Sequence, residues 1–350
     1  MHTGIIYALL AAALFGASTP FAKTLVGQMP PATLAGVLYL GSGIGLLICY
    51  AIRALVKRNA QDKPVALTLH DLSWFVGAVA AGGVAGPLLL MAGLTSVSAS
   101  SASLLLNMEG VLTSMLAWFV FKENFDRRIV IGMLLIVAAG VLLSWDQAPA
   151  AGLPWGVIAI IGACLCWGID NNLTRKVSAS DPLQIAGTKG LVAGSVNLAI
   201  GLALGGAMPA TSTLLAAGVV GFCGYGLSLV LFVLALRHLG AARTGAYFSA
   251  APFAGAALSL LILNEAPGAL FWIAAALMGV GIWLHMTESH AHEHVHPPLS
   301  HAHTHSHDEH HQHEHDFDWD PTKPHAHPHR HTPLRHSHPH YPDIHHRHEH

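Results

Sequence analysis

The chain is 350 residues long, 53% of them hydrophobic and 10% charged, with a mean hydropathy of +0.49 and a formal net charge of -2. Those averages include a very polar end, so the rest is almost purely apolar, which excludes an ordinary soluble domain with a charged surface. The balance of charge says little about partners, and no nucleic-acid partner is expected.

Apolar runs long enough to cross ~30 Å of hydrocarbon follow one another with short connections. They predict an all-α integral membrane protein with spans near 4–23, 33–52, 72–94, 99–120, 129–145, 154–174, 184–205, 212–236, 244–263 and 268–286. In lipid the backbone must satisfy its own hydrogen bonds, so the spans are helices. The first is not a cleavable signal, because Met1–Thr3 carries no cation and the apolar run continues into Pro20 and Lys23. Pro20, Pro87 and Pro252 fall inside spans, where a missing N–H is expected to leave kinks. Trp74, Trp118, Trp145, Trp155 and Trp283 lie near span ends and read as interfacial anchors. Cys49, Cys164, Cys166 and Cys223 all fall within spans and read as small packing residues, Cys164 and Cys166 pointing to different sides of their helix.

One stretch is written twice. Gly4–Lys23 and Gly156–Arg175 share, at one constant offset, an opening Gly, an aromatic-Gly pair (Phe15-Gly16 and Trp167-Gly168) and a closing cation. Each half holds five predicted spans, and an odd number sends the second copy into the membrane from the opposite side, giving two inverted five-helix repeats over 4–145 and 154–286. The cations agree. Arg53, Lys57, Arg58, Lys63, Lys122, Arg127, Arg128, Arg175, Lys176, Arg237 and Arg243 flank one set of connections, and the opposite set holds only Lys23. The positive-inside bias places both termini in the cytoplasm, with ten crossings of a bacterial-type inner (plasma) membrane between them.

Ionisable groups at membrane depth are the informative minority, since a central Asp, Lys or Arg costs about 2.5 to 3.5 kcal/mol and normally faces a bundle interior or water. Asp170 and Lys189, both towards the cytoplasmic side, are placed to pair. Glu109 has no cation predicted at its own depth, which suits it to a proton path or to a cationic group of a solute. Asn107, Asn171, Asn172 and Asn197 supply neutral donors and acceptors to the same interior, although amides also tie helices together.

Small residues open the fourth span (Ser96, Ser98–Ser103) and the ninth (Gly240–Ala242, Gly245, Ala246), and each of these spans ends on a glutamate, Glu123 and Glu265. With the duplicated five-helix unit and the aromatic-Gly pattern, the chain resembles the EamA-type branch of the drug/metabolite transporter superfamily over about 4–286. The resemblance implies a ten-helix arrangement with a central cavity between the halves and a transport function, and leaves the cargo open. One departure stands out: Pro252 is the family-like choice, whereas its counterpart Gly110 is preceded by the carboxylate of Glu109.

From residue 287 a different polymer begins, holding every histidine except His2, His70, His238 and His285. With many prolines and few aliphatics it cannot bury a core and is expected to be disordered. Alternating His-x-His, through His290, His292, His294, His296, His301, His303, His305, His307, His310, His311, His313 and His315, suits weak, exchanging sites for zinc, nickel, cobalt or copper. No cofactor is required. An intramembrane enzyme is not expected, because there is no HExxH, no GxSxG and no clustered membrane histidine. Two carrier readings remain: export of a small polar, amino-acid-like metabolite by proton or solute exchange, and efflux of a divalent metal gathered by the tail. The spans lack a His/Asp/Glu cluster able to pass a bare divalent ion, which favours the metabolite.

Overall fold

The computed structural model describes residues 2–56, 69–121, 127–146, 154–174, 182–286, 290–296, 300–305, 325–330 and 334–340. The chain divides into two compact units, Met1–Glu288 and Ser289–His350. In the first unit the described elements are α1 (His2–Leu25), α2 (Pro31–Val56), α3 (Leu69–Ala78), α4 (Gly86–Gly93), α5 (Ala99–Leu105), α6 (Met108–Phe121), α7 (Arg127–Asp146), α8 (Trp155–Thr174), α9 (Pro182–Ala203), α10 (Thr211–Gly221), α11 (Ser228–Phe248), α12 (Ala251–Ile262) and α13 (Ala269–Met286). Among the described residues seven stretches are long and apolar enough to cross a membrane, and Ala251–Ile262 and Ala269–Leu284 are shorter apolar helices. Leu134, Val141, Trp145, Trp272 and Trp283 are exposed on α7 and α13, an apolar surface that belongs against lipid tails rather than water.

Four spans are not the uniform helices that hydropathy suggests. Between α3 and α4 the chain winds as a π-helical segment, Val79–Ala85, and between α10 and α11 as another, Phe222–Leu227. The span expected at 99–120 breaks at Leu106–Asn107, between α5 and α6. A matching break at Ser249–Ala250 separates α11 from α12. Counted in the register that pairs Glu123 with Glu265, the two π-segments coincide, Gly82 facing Gly224, and the two breaks fall within one residue of each other. The duplication thus extends to irregularities in the backbone. Of the three prolines, Pro20 lies in the interior of α1 and Pro87 follows directly on the π-segment that winds into α4, whereas Pro252 sits in the first turn of α12, past the break, where a missing N–H breaks no helical bond.

The expected connection between the eighth and ninth spans is wound as helix within α11, yet the chain still reverses there. Phe232 and Phe248 have ring centroids 4.8 Å apart, whereas the same separation along a straight helix spans about 24 Å. Against α1, Tyr7 meets His238 at 5.8 Å and Phe15 meets both Tyr225 at 6.1 Å and Phe248 at 5.5 Å, so one arm runs against α1 and the other with it.

The two halves interlock. α2 packs antiparallel on α9 through glycines, a Cβ on Gly36 falling 2.8 Å from the Leu198 Cα and one on Gly190 2.8 Å from the Gly43 Cα. Such small residues let backbones in lipid approach closely. α1 contacts α11 and α12, while α8 contacts α4 and α6, the equivalent neighbours in the other half. The first helices of the halves run in opposite directions: Lys23, near the end of α1, bonds the Leu94 and Val97 carbonyls, and a Cβ on Gly156, at the start of α8, would lie 2.8 Å from the Val97 side chain. The shared core includes Leu34, Leu38, Leu90, Met91, Ile160 and Phe271.

In the second unit β1 (His290–His296) pairs antiparallel with β4 (Leu334–His340), and β2 (Ser300–His305) with β3 (His325–Arg330). These segments differ from the disordered tail expected from composition. Alternating His-x-His has the period of an extended strand, although a two-stranded ladder without an apolar face is marginal in water.

Candidate functional site

Glu109 owes its position to the break in its span. After α5 ends, the Asn107 N–H bonds the Leu104 carbonyl at 3.0 Å and the Glu109 N–H bonds the Leu106 carbonyl at 3.0 Å, while the Asn107 Nδ2 also donates to Leu104 O at 2.9 Å. An asparagine side chain competing for backbone in this way ends a helix readily. Glu109 then enters the first turn of α6, where a carboxylate is favoured by the helix dipole. Next to it, Gly110 is exposed and has open space where a Cβ would stand. The half-buried Glu109 carboxylate accepts the Asn171 Nδ2 at 2.9 Å, and Asn171, on α8, is exposed.

One residue before Asn171, Asp170 is 7% exposed. Its Oδ2 meets the Lys189 ammonium of α9, and its Oδ1 accepts the Thr174 hydroxyl at 2.9 Å. The carboxylate reaches this place by lying on the π-segment at Gly82, where a Cβ would sit 2.5 Å from the Asp170 Cβ. That segment is itself held by side chains. The Gly82 carbonyl accepts both the Tyr39 hydroxyl and the Trp167 Nε1 at 3.0 Å, and the Gly83 carbonyl accepts the Asn197 Nδ2 at 2.9 Å. Side chains from α2, α8 and α9 therefore converge on two consecutive carbonyls.

The expected pairing of Asp170 with Lys189 is present. Glu109 is within electrostatic reach of both, but its hydrogen-bond partner among the described residues is the neutral Asn171. Asp170, Lys189 and Glu109 together leave one excess negative charge when all are ionised. The remaining amides act as ties: Asn172 donates to Gly168 O at 2.8 Å and Thr113 O at 3.4 Å, Asn197 is fully buried on Gly83, and Asn107 reaches the Met278 sulfur at 3.6 Å. Sequence reasoning missed Tyr39, Thr174 and the Gly82-Gly83 segment. The Gly-Gly pair in one span and Gly224-x-Gly226 at the equivalent place in the other half were the available signal.

Cys164 is buried, Cys166 and Cys223 are intermediate, and Cys49 is exposed; all four thiols are free. Among the described residues no group of three His, Cys, Asp or Glu is placed to hold a metal ion. His290, His292, His294, His296, His301, His303 and His305 fall on β1 and β2, and His307, His310, His311, His313 and His315 lie outside the described residues. Lys122, Glu123, Arg175 and Lys176 lie outside them as well.

A duplicated apolar bundle with its few ionisable groups gathered inside belongs to the multi-pass membrane transporters. Residues 2–145 and residues 154–287 each match the EamA-like transporter family, and the chain belongs to that family. It is 27% identical over 295 residues to a protein of Methanothermobacter thermautotrophicus named an uncharacterized transporter, covering 80% of this chain and 85% of that one. It is 23% identical over 302 residues to the uncharacterized transporter YyaM of Bacillus subtilis, covering 80% of this chain and 95% of that one. A solved crystal structure aligns with a TM-score of 0.58 at 18% identity, over 80% of this chain and 95% of that chain, a likeness of fold.

Proposed function

We propose that this transporter exports a small polar, amino-acid-like metabolite across a bacterial-type inner membrane, driven by proton or solute exchange, with ten crossings as two inverted halves and both termini in the cytoplasm. The observation that carries the reading is Glu109, a half-buried carboxylate at the break of a span, answered among the described residues by an amide rather than a cation. Such a group has a vacancy for positive charge, filled by a proton or by the ammonium of a solute. Asp170 and Lys189 neutralise each other and keep the interior beside Glu109 polar. Opposite running directions of α1 and α8 support the inverted arrangement, on which alternating access depends.

In this reading the His-rich tail is a cytoplasmic appendage that binds zinc, nickel, cobalt or copper reversibly and takes no part in solute passage. Proteoliposomes offered amino acids and divalent metals in parallel test the assignment. Solute flux that follows an imposed pH gradient supports it, and metal flux without solute flux replaces it with metal efflux.

A further inference from the structure

The end of the bundle where α1, α4 and α12 finish is tied together by two side chains of opposite charge. The Lys23 ammonium donates to the carbonyls of Leu94 at 2.5 Å and Val97 at 2.7 Å, both in the connection between α4 and α5. Just past α12, Glu265 accepts the Ala99 N–H at 2.8 Å and the Ser100 N–H at 2.9 Å, one on each carboxylate oxygen. A cation from α1 on the carbonyls of the connection and an anion from beyond α12 on the first two amides of α5 thus hold the two sides of one turn, and the two charges are within electrostatic reach. A lysine at the end of a span ordinarily turns its ammonium to water; Lys23 gives it to backbone instead.

Beneath the tie the seam between the halves is shut. Ser100, Ser101 and Ser103 are 1% exposed, Leu104 and Leu105 are fully buried, and Ala251 is 1% exposed. Gly255 of α12 lies against Ser103 of α5, a Cβ there falling 2.8 Å from the Ser103 hydroxyl. Past the two backbone breaks exposed positions stand among buried ones: Gly110, Asn171, Gly245 and Ala250 are exposed beside the buried Val111, Asn172 and Thr244, and neither Gly110 nor Gly245 has an atom within 4 Å of a Cβ position.

From this we infer that Lys23 and Glu265 are the jaws of a gate that closes the bundle at this end, and that the tie releases in every transport cycle as α5 and α12 move about the paired breaks. The inference rests on the carrier reading, and its test separates the two. In full-length protein in lipid nanodiscs, Cys49, Cys164, Cys166 and Cys223 are replaced by Ala and Ser103→Cys is introduced, and alkylation by a hydrophilic maleimide is timed. If the open state is a minor one of about 1–10%, Lys23→Met and Glu265→Ala each raise the rate about tenfold, while Lys23→Arg keeps the slow rate of the parent. Should Glu265→Ala fail to fold, Lys23→Met, of similar length, carries the test alone. Equal rates in the parent and Lys23→Met overturn the gate, whatever the flux. Faster alkylation in Lys23→Met together with a parent that moves no solute in proteoliposomes leaves the gate standing and overturns the carrier reading.

Discussion

At the scale of single residues, the interior chemistry rests on two carboxylates treated differently by their neighbours. Glu109 accepts one amide, so Glu109→Gln keeps the shape and removes the charge. We expect this variant to fold and bind solute but to lose most of the pH dependence of flux, and an unchanged pH profile in a transport assay excludes a proton role. Asp170 and Lys189 are 9% and 17% exposed at their side chains. Asp170→Asn or Lys189→Met alone strands a buried charge and should cost about 3–5 kcal/mol, read as thermal unfolding in detergent, while the double change recovers much of it. A double variant as stable as the parent but inactive in transport places the pair in the solute path. The pairing was legible from charge and depth. The role of Asn171 as the partner of Glu109 was not, because adjacent residues on a helix face different neighbours and only the packing of α8 against α6 decides which one Asn171 meets.

At the scale of elements, the two π-segments and the two breaks are where the sequence said least. Hydropathy averages composition over a window, and Gly82, Gly83, Gly224 and Gly226 lower that average too little among their apolar neighbours for a change of winding to show in it. Close approach does leave one. The expectation that small residues allow tight contact is met where Gly16 meets α12, a Cβ there lying 2.9 Å from the Gly255 nitrogen. That neighbour is backbone and cannot turn aside. Gly16→Ala should therefore push α1 from α12 and cost about 1–3 kcal/mol, whereas Gly110→Ala, with open space around it, should leave the melting temperature nearly unchanged. Gly82→Ala has a more specific expected effect, since it strikes Asp170: activity should fall further than stability.

At the scale of the whole molecule, the duplicated halves and the change of polymer at residue 287 were both plain from the sequence, because each is a property of long stretches rather than of single contacts. The tail should be separable. Removing 287–350 takes nothing from the core around Leu90, Ile160 and Phe271, so the truncated protein should keep its melting temperature and its solute flux and lose metal binding. In the intact protein, zinc or nickel should leave the tail as pH falls through about 6.5, where imidazole protonates and can no longer ligate. Equilibrium dialysis across that range measures it directly.

The central claim, that the bundle is a carrier for a metabolite with Glu109 as its charge-bearing group, is tested most directly by one flux measurement. Proteoliposomes containing the parent or Glu109→Gln are loaded with amino acids and divalent metals and given an imposed pH gradient. The account predicts amino-acid-like solute movement that follows the gradient in the parent and is indifferent to it in Glu109→Gln, with no metal movement in either. Metal efflux in the parent that disappears when 287–350 are removed contradicts it, and so does solute flux whose pH dependence survives in Glu109→Gln.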